Sequence, residues 1–192
     1  MKNENLKRCD WSTTDPLYIA YHDNEWGREV NDDKIMFEFL ILESAQAGLS
    51  FITILKRREN YRKAFAGFNA EKVAAFNSKD VERLMQDTGI IRNRKKIETT
   101  ITNAKCFLDI QKEFGSFCNY IKSFLPEGKP IVNHRKTLSE IPTSTPLSDK
   151  ISKDMKKRGV KFFGTTICYA YLQAIGYVDD HLIDCFCHSS KK

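Results

Sequence analysis

Two cysteine–histidine pairs, one near each end of the chain, offer donor atoms for a metal ion. Cys9 and His22 lie close together near the start, and His181 precedes Cys185 by four residues near the end. On a helix, a spacing of four would place both side chains on one face. Two thiolates and two neutral imidazoles make the closed tetrahedral shell of a structural zinc site. An ion bound there would tie the two ends of the chain together.

Spacing alone leaves other interpretations of these residues open. The sequence contains no C-x-x-C pattern, and Cys187 and His188 compete for the C-terminal ligand positions. The four residues could also be unrelated core cysteines and surface histidines. The polar N-terminal segment lacks the apolar core of a signal peptide. We therefore do not expect the six cysteines to form a disulfide framework.

Large aromatic side chains are concentrated in one polar segment. Trp11, Tyr18, Tyr21 and Trp26 fall within sixteen residues. Aromatic rings can stack on an extruded nucleic-acid base, and Tyr and Trp also offer a polar edge. The segment therefore indicates a base-binding pocket, with a small aromatic core as the alternative.

Glu43 lies inside an apolar run that spans residues 39–48. A buried carboxylate is costly without partners, and the dipole at a helix C-terminus disfavours an anion. We therefore expect Glu43 to face a pocket that receives a cationic or donor-rich ligand. The alternative is a glutamate on the solvated face of its helix.

A basic, glycine-bracketed turn lies between two helical patterns at residues 156–166. Gly159 and Gly164 permit close approach of a phosphate, and free N–H groups at the next helix N-terminus can bind it. Lys161 and its basic neighbours add sequence-independent attraction. The alternative is an ordinary helix–turn–helix corner with a solvated basic face. For the basic clusters at 56–58 and 92–96 we expect a solvated face.

The elements that position these residues are predicted to be helices with almost no sheet. Residues 1–31 are expected to be irregular, and residues 125–146, with four of the five prolines, to form a crossing loop. The run Ile131–Val132 is too short to predict a significant strand. Apolar periodicity and turn signals predict helices over 35–46, 50–66, 78–85, 95–114, 117–124, 149–158 and 165–175.

Composition fits a single domain over residues 1–192. A hydrophobic fraction of 41% provides a core at this length, and the net charge of +6 suits a polyanionic partner or an ordinary basic protein. No apolar run approaches the roughly 18 residues of a membrane span. We expect a cytoplasmic protein without membrane contact, and a monomer.

The sequence resembles the bacterial 3-methyladenine DNA glycosylase I family over essentially its whole length. The resemblance implies an all-α fold of the helix–hairpin–helix superfamily, with two helical lobes around a cleft and the 159–164 turn as its DNA-binding hairpin. The matching blocks are residues 8–11, 15–27, 46–50, 56–61, 88–92, 139–144 and 163–169.

The family also implies a function and a set of site residues. It implies a monofunctional enzyme that hydrolyses the N-glycosidic bond of 3-methyladenine in alkylated double-stranded DNA, leaves an abasic site and releases free 3-methyladenine. The resemblance implies that Cys187 and His188 are not zinc ligands. The residues carried over are Glu43 for catalysis; Trp11, Tyr18, Tyr21, Trp26 and Phe51 for the base; Leu49 as a wedge, with Gly159, Lys161, Gly164 and Thr165, for DNA; and Cys9, His22, His181 and Cys185 for structural zinc.

Two positions depart from the patterns of the family and its superfamily. Phe51 stands where this family usually has Trp, so the pocket loses ring area and an N–H. Asp179 occupies the place of a catalytic aspartate found in many members of the wider superfamily, and we treat it as a contingent candidate.

Two rival functions make different predictions. A non-catalytic zinc-containing DNA-binding module would release no base. A zinc hydrolase or deaminase needs an open metal position and patterns such as H-E-x-x-H, which the sequence lacks.

Overall fold

The computed structural model describes residues 6–12 and 15–191, and most of these residues are helical. Residues 1–5, 13, 14 and 192, which belong to the predicted irregular segment or to the predicted domain, lie outside the described residues. The helices are α1 (Pro16–Asn24), α2 (Asp33–Gln46), α3 (Phe51–Leu55), α4 (Arg58–Ala64), α5 (Ala70–Ala74), α6 (Ser78–Gln86), α7 (Arg94–Phe114), α8 (Phe117–Lys122), α9 (Pro146–Lys157) and α10 (Thr165–Ala174). Two short strands, β1 (Ile131–Val132) and β2 (Val178–Asp179), pair in parallel.

Helix α2 is the centre of the core. It begins after Asp32, whose side chain accepts hydrogen bonds from the N–H groups of Lys34 and Ile35. Residues 36–45 are buried without interruption, as expected of a helix that is apolar on all sides. The helix contacts α3, α7, α8 and α10. This surrounded position carries Glu43 into the interior.

The boundaries of α7 and α9 follow from their capping residues. The Asn93 side chain caps the start of α7, and Gly115 ends the helix with φ +77°. Thr145 and Ser148 form a reciprocal capping box at the start of α9, and Pro146 occupies its first turn. The helix predicted over 95–114 is confirmed by α7, whereas α9 begins three residues before the predicted residue 149, because Pro146 opens it and Thr145 caps it.

Other sequence predictions about the fold also differ from the structure. Within the predicted irregular segment, residues 16–24 are helical, because Asp15 accepts the N–H of Leu17 and Pro16 opens the helix. The predicted helix over 50–66 is two helices that break around Arg57. The pair Ile131–Val132 forms a strand, because Val178–Asp179 offers a parallel partner from the far end of the chain.

The cluster of basic residues at 56–58 is also less solvated than predicted. Arg58 is largely buried and forms ion pairs with Glu25 and Glu38, which join α4 to the end of α1 and to α2. Among the described helices, none combines the length and the apolarity needed to cross a membrane.

Candidate active site and metal centre

A cavity of about 340 Å³ opens between α1, α2, α3, α10 and the segment around residues 138–141. All five aromatic residues predicted for the base pocket line it, and so does Glu43. The full lining consists of Trp11, Tyr18, Tyr21, Trp26, Glu43, Gln46, Phe51, Leu138, Ile141, Ala170 and Gln173.

The aromatic rings of the cavity pack against one another, mostly at steep angles. The Trp11 ring centre lies 4.7 Å from that of Tyr18 and 5.0 Å from that of Trp26, both edge to face. Tyr21 lies 5.1 Å from Phe51, at the start of α3. Such contacts stabilise the rings beyond simple burial. The cavity therefore has fixed aromatic walls before any ligand enters.

Glu43 projects into this cavity from the last turns of α2. It is only 3% exposed, and its Oε2 atom has no hydrogen-bond partner among the described residues. Burial raises the pKa of its carboxyl group to about 8. One turn later, the buried Oε1 atom of Gln46 is also without a partner there. The cavity thus presents polar atoms that its own walls leave without hydrogen-bond partners.

The two tyrosines of the cavity remain hydrogen-bond donors. Burial, together with the nearby Glu43 carboxyl, raises the pKa of Tyr18 and that of Tyr21. Both phenols therefore keep their protons at neutral pH. The cavity can both accept hydrogen bonds from a ligand and donate them to it.

The basic turn connects α9 to α10 and is held from outside by α7. Asn103 of α7, which is buried, donates from Nδ2 to the Lys161 carbonyl at 2.9 Å and accepts the Lys161 N–H at 2.9 Å. Gly159 has φ +98°, a conformation that favours glycine. The Thr165 hydroxyl is hydrogen-bonded to Ser148 of α9. The turn is therefore a fixed structure, not a loose loop.

Two further predicted DNA contacts lie on accessible backbone. Gly164 precedes the first turn of α10 without a side-chain cap, and a Cβ atom there would meet no atom within 4 Å. Leu49 is 40% exposed in the turn after α2, next to Gly48 with φ +81°. Both positions can reach a ligand outside the protein.

Four buried donor residues lie together beside the aromatic cavity. The ligand atoms of His22, His181, Cys185 and Cys187 are all within 4.8 Å of one another. Cys9, predicted as a ligand in place of Cys187, is not in this group; it is fully buried, and its Sγ atom accepts the N–H of Leu182, the residue after His181, at 3.4 Å. His181 and Cys185 lie in the irregular segment that follows β2, and not on a helix. The fold thus joins both ends of the chain at one cluster.

Carboxylates orient both histidines of this cluster. His22 Nδ1 lies 2.8 Å from Asp23, and His181 Nδ1 lies 2.7 Å from Asp179. Each Nε2 atom is left for the cluster, and that of His181 is buried without a partner among the described residues. Carboxylate–histidine pairs of this kind orient ligands at metal sites.

Asp179 has partners that account for its burial. Its oxygens accept hydrogen bonds from His181 and Ser189, and it is not among the residues that line the aromatic cavity. Burial opposes its ionisation, but these bonds outweigh that effect and lower its pKa. Its position supports an orienting role toward His181 and gives no support to catalysis.

The aromatic cavity and the cysteine–histidine cluster share a wall. The Trp26 ring lies 4.5 Å from His181, and the Trp11 ring lies 5.3 Å from His22, centre to centre. A change in the cluster would therefore reach the rings of the cavity directly.

Sequence reasoning missed five lining residues, four of them in distant segments. Gln46 was detectable, because it follows Glu43 by one turn on the same helix. Gln173 donates from its amide to the buried Asp180 at 2.7 Å, an interaction that only the tertiary structure creates. The missed residues are Gln46, Leu138, Ile141, Ala170 and Gln173.

Comparison with known proteins agrees over nearly the whole chain. The family model for methyladenine glycosylase matches residues 11–188. DNA-3-methyladenine glycosylase 1 of Escherichia coli (strain K12) is 53% identical over 187 residues, which are 97% of this chain and 100% of that protein.

Two solved structures have the same fold. The crystal structure of a 3-methyladenine DNA glycosylase I superposes with a TM-score of 0.91 at 53% identity, covering 95% of this chain and 100% of the other. A Staphylococcus aureus 3-methyladenine DNA glycosylase I, solved to explain 3-methyladenine recognition, gives 0.91 at 39% identity and covers 97% of both chains. By family match, identity and fold, this chain belongs to the methyladenine glycosylase family.

Proposed function

We infer that this protein is a DNA-3-methyladenine glycosylase of base-excision repair. It hydrolyses the N-glycosidic bond of 3-methyladenine in alkylated double-stranded DNA and leaves an abasic site. The observation that carries this inference is the unpartnered Glu43 carboxyl at the wall of a cavity built from aromatic rings.

The cavity suits a base that carries a positive charge. Methylation at N3 makes adenine cationic, and the faces of Trp and Tyr rings attract cations. A cation close to Glu43 would lower the raised pKa of that carboxyl and favour its ionised form. The carboxylate would then accept hydrogen bonds from the base. Neutral adenine would gain no cation–π attraction, so the cavity favours the methylated base in DNA over the normal one.

The reaction needs little acid catalysis, because the methylated base is already a good leaving group. The base departs with the electron pair of the glycosidic bond and becomes neutral. Water adds its oxygen to the sugar carbon and releases one proton to solvent. Glu43 binds and orients the base next to the bond that breaks. No lysine forms a Schiff base with the sugar, so the DNA strand stays intact.

Duplex DNA would be held by the turn between α9 and α10 and opened by Leu49. Free N–H groups at the start of α10 suit a phosphate, and Lys161 adds attraction. Leu49 would fill the place of the nucleotide that rotates into the cavity, a step that costs a few kcal/mol in lost stacking. In this proposal α9, the turn and α10 form the hairpin of the helix–hairpin–helix superfamily, and two helical lobes flank the cleft.

We also propose a structural zinc ion held by Cys9, His22, His181 and Cys185. The unpartnered His181 Nε2 atom fits a metal ligand. Cys9 and Cys185 each accept a backbone N–H at 3.4 Å, as thiolates do. Cys187 Sγ instead lies 3.9 Å from the carbonyl oxygen of His22. A carbonyl oxygen only accepts hydrogen bonds, so this contact needs a protonated thiol. We therefore favour Cys9 over Cys187, although Cys187 belongs to the tighter group.

Four protein ligands would leave no position for a reacting water. The ion would therefore join the N-terminal and C-terminal segments and support the cavity wall formed by Trp11 and Trp26. It would take no part in bond cleavage.

Chromatography of the bases released from methylated duplex DNA tests the proposed activity. The protein should release 3-methyladenine, and Glu43→Gln should release it far more slowly. Glu71→Gln, which changes an exposed glutamate of α5, is the matched control and should behave like the wild type. Tight DNA binding without released base would support the non-catalytic rival.

A further inference from the structure

The C-terminal end of α2 is held by a lysine from another helix. Lys96, in the first turn of α7, donates from Nζ to the carbonyl oxygen of Ala45 at 2.8 Å and to that of Ala47 at 2.7 Å. Between these carbonyls, that of Gln46 accepts the N–H of Leu49. Lys96 belongs to the basic cluster at 92–96, for which we expected a solvated face. In the structure Lys96 is half-buried.

This contact satisfies groups that a helix end leaves open. The last carbonyls of an α-helix lack intrahelical partners, and a cation near the C-terminus interacts favourably with the helix dipole. The Lys96 ammonium does both at the point where the chain leaves α2. Gly48 and Leu49 follow immediately, so the lysine fixes the base of the turn that presents Leu49.

The same helix holds the other proposed DNA contact. Asn103 lies seven residues after Lys96 on α7 and binds both backbone groups of Lys161. Seven residues are two helical turns, or about 10 Å along the axis. The N-terminal half of α7 therefore sets the distance between the Leu49 turn and the α9–α10 turn.

We propose that Lys96 is a positioning residue that holds Leu49 in register with the α9–α10 turn, so that both engage one duplex. This inference rests on the proposed function, because it needs Leu49 to act as the wedge. Lys96 touches neither the base nor the sugar in this proposal. Because its ammonium group already donates to two carbonyl oxygens at the end of α2, we do not assign it a phosphate contact.

The test combines Lys96→Met with Leu49→Ala in a double-mutant cycle. Each single variant should slow release of 3-methyladenine from duplex DNA by about 10- to 100-fold, the range for small misplacement of a positioned group. If Lys96 acts through Leu49, the double variant should be no slower than Leu49→Ala alone. Binding of free 3-methyladenine by Lys96→Met should equal that of the wild type, because the cavity is unchanged.

Further measurements separate positioning from a general loss of structure or charge. Lys105→Met removes an exposed lysine from the same helix and should leave release unchanged. Lys96→Arg keeps a cation at the end of α2 and should recover most of the rate. Lys96→Met should also keep the wild-type dependence of DNA affinity on salt, whereas Lys161→Met should lower that slope by about one unit.

The outcomes separate the two proposals. Effects of Lys96→Met and Leu49→Ala that multiply, or a Lys96→Met variant as fast as the wild type, overturn the positioning role. A lower salt slope for Lys96→Met overturns it in favour of a phosphate contact. A wild-type protein that releases no base overturns the proposed function, and this inference with it.

Discussion

A single carboxyl group decides the chemistry proposed for the cavity. Glu43 lies on a helix that is buried around its whole circumference, and its Oε2 atom has no partner among the described residues. Burying a polar group in this way costs free energy that the native state must offset elsewhere. The unpartnered carboxyl of Glu43 is therefore consistent with a ligand-binding role. Its burial should also have a measurable effect on the free energy of unfolding.

The first prediction concerns the pH dependence of that stability. Burial moves the pKa of Glu43 from its ordinary 4.5 to about 8. Between these values the unfolded chain has released the proton and the native protein has not, so the free energy of unfolding falls as pH rises. Glu43→Gln cannot ionise and lacks this contribution. Relative to the wild type, the variant should gain roughly a few kcal/mol of stability between pH 5 and pH 8.

Urea denaturation of both proteins at these two pH values checks the prediction. Glu71→Gln again serves as the control and should follow the wild type at both. Parallel pH dependence of the wild type and Glu43→Gln would mean that Glu43 is already ionised at pH 5, contrary to its raised pKa.

The second prediction concerns the fit of one glycine against the cysteine–histidine cluster that we propose binds zinc. A Cβ atom on Gly27 would lie 2.5 Å from Cε1 of His181, and the glycine has φ +70°. Gly27→Ala should therefore displace the imidazole, lower the melting temperature and reduce bound zinc. Gly67→Ala is a matched control, because Gly67 has φ +65° but no atom within 4 Å of its Cβ position.

Melting curves and elemental analysis of both variants separate the clash from the backbone strain. Both should lose about 1 kcal/mol or more from the left-handed backbone, and only Gly27→Ala should lose metal. Equal zinc content in the two variants would show that His181 is not a ligand or that it tolerates the shift.

The residues of the site differ in how far the sequence could predict them. Glu43 and the four N-terminal aromatic residues have unusual surroundings in the sequence itself, a carboxylate in an apolar run and rings in a polar one. Leu138 and Ile141 have no such feature. They reach the cavity because their segment is carried there by the pairing of β1 with β2, which depends on residues almost fifty positions apart.

At the scale of elements, the α9–α10 turn combines a glycine at positive φ with a glycine at an ordinary φ. Gly159 needs its positive φ, and a Cβ atom there would lie 3.3 Å from Cys106 Sγ. Gly164 has φ −67°, which any residue adopts, and open space beside it. The two glycines therefore serve different purposes, the first for the fold and the second for access.

The third prediction follows from this difference. Gly164→Ala should leave the melting temperature unchanged but weaken binding to a duplex with an abasic-site analogue by about tenfold, because a methyl group would obstruct the phosphate. Gly159→Ala should instead destabilise the protein by about 1 kcal/mol or more. Melting curves and fluorescence anisotropy measure both effects. Unchanged DNA affinity of Gly164→Ala would remove this glycine from the interface.

Element boundaries were predictable where local chemistry sets them. The polar cap of α7 and its terminal glycine, and the proline at the start of α9, are readable in the sequence. Helix α1 was missed because its sequence shows no apolar stripe, although its cap at Asp15 and the following Pro16 were present. The break near Arg57 was missed because apolar periodicity runs through it, while Arg58 is drawn into ion pairs with Glu38 and Glu25.

At the scale of the whole molecule, the two ends of the chain meet behind the aromatic cavity. Trp11 and Trp26 contact the histidines of the cluster on one side and line the cavity on the other. They are also the two tryptophans of the sequence. Intrinsic tryptophan fluorescence therefore reports on the cluster and on the cavity together.

The last prediction decides which thiol completes the proposed zinc site. Cys9 accepts the N–H of Leu182, whereas Cys187 faces the carbonyls of His22 and Asp23. Cys9→Ser should therefore lose zinc, shift the tryptophan fluorescence and lower the melting temperature, because the N-terminal segment is released from Cys185. Cys187→Ser should keep zinc by elemental analysis and bind free 3-methyladenine as the wild type does. The opposite result would make Cys187 the ligand in place of Cys9. That assignment would agree with the position of the Cys187 thiol, which lies within 4.8 Å of the ligand atoms of His22, His181 and Cys185. Zinc retained by both variants would mean that either thiol can complete the shell.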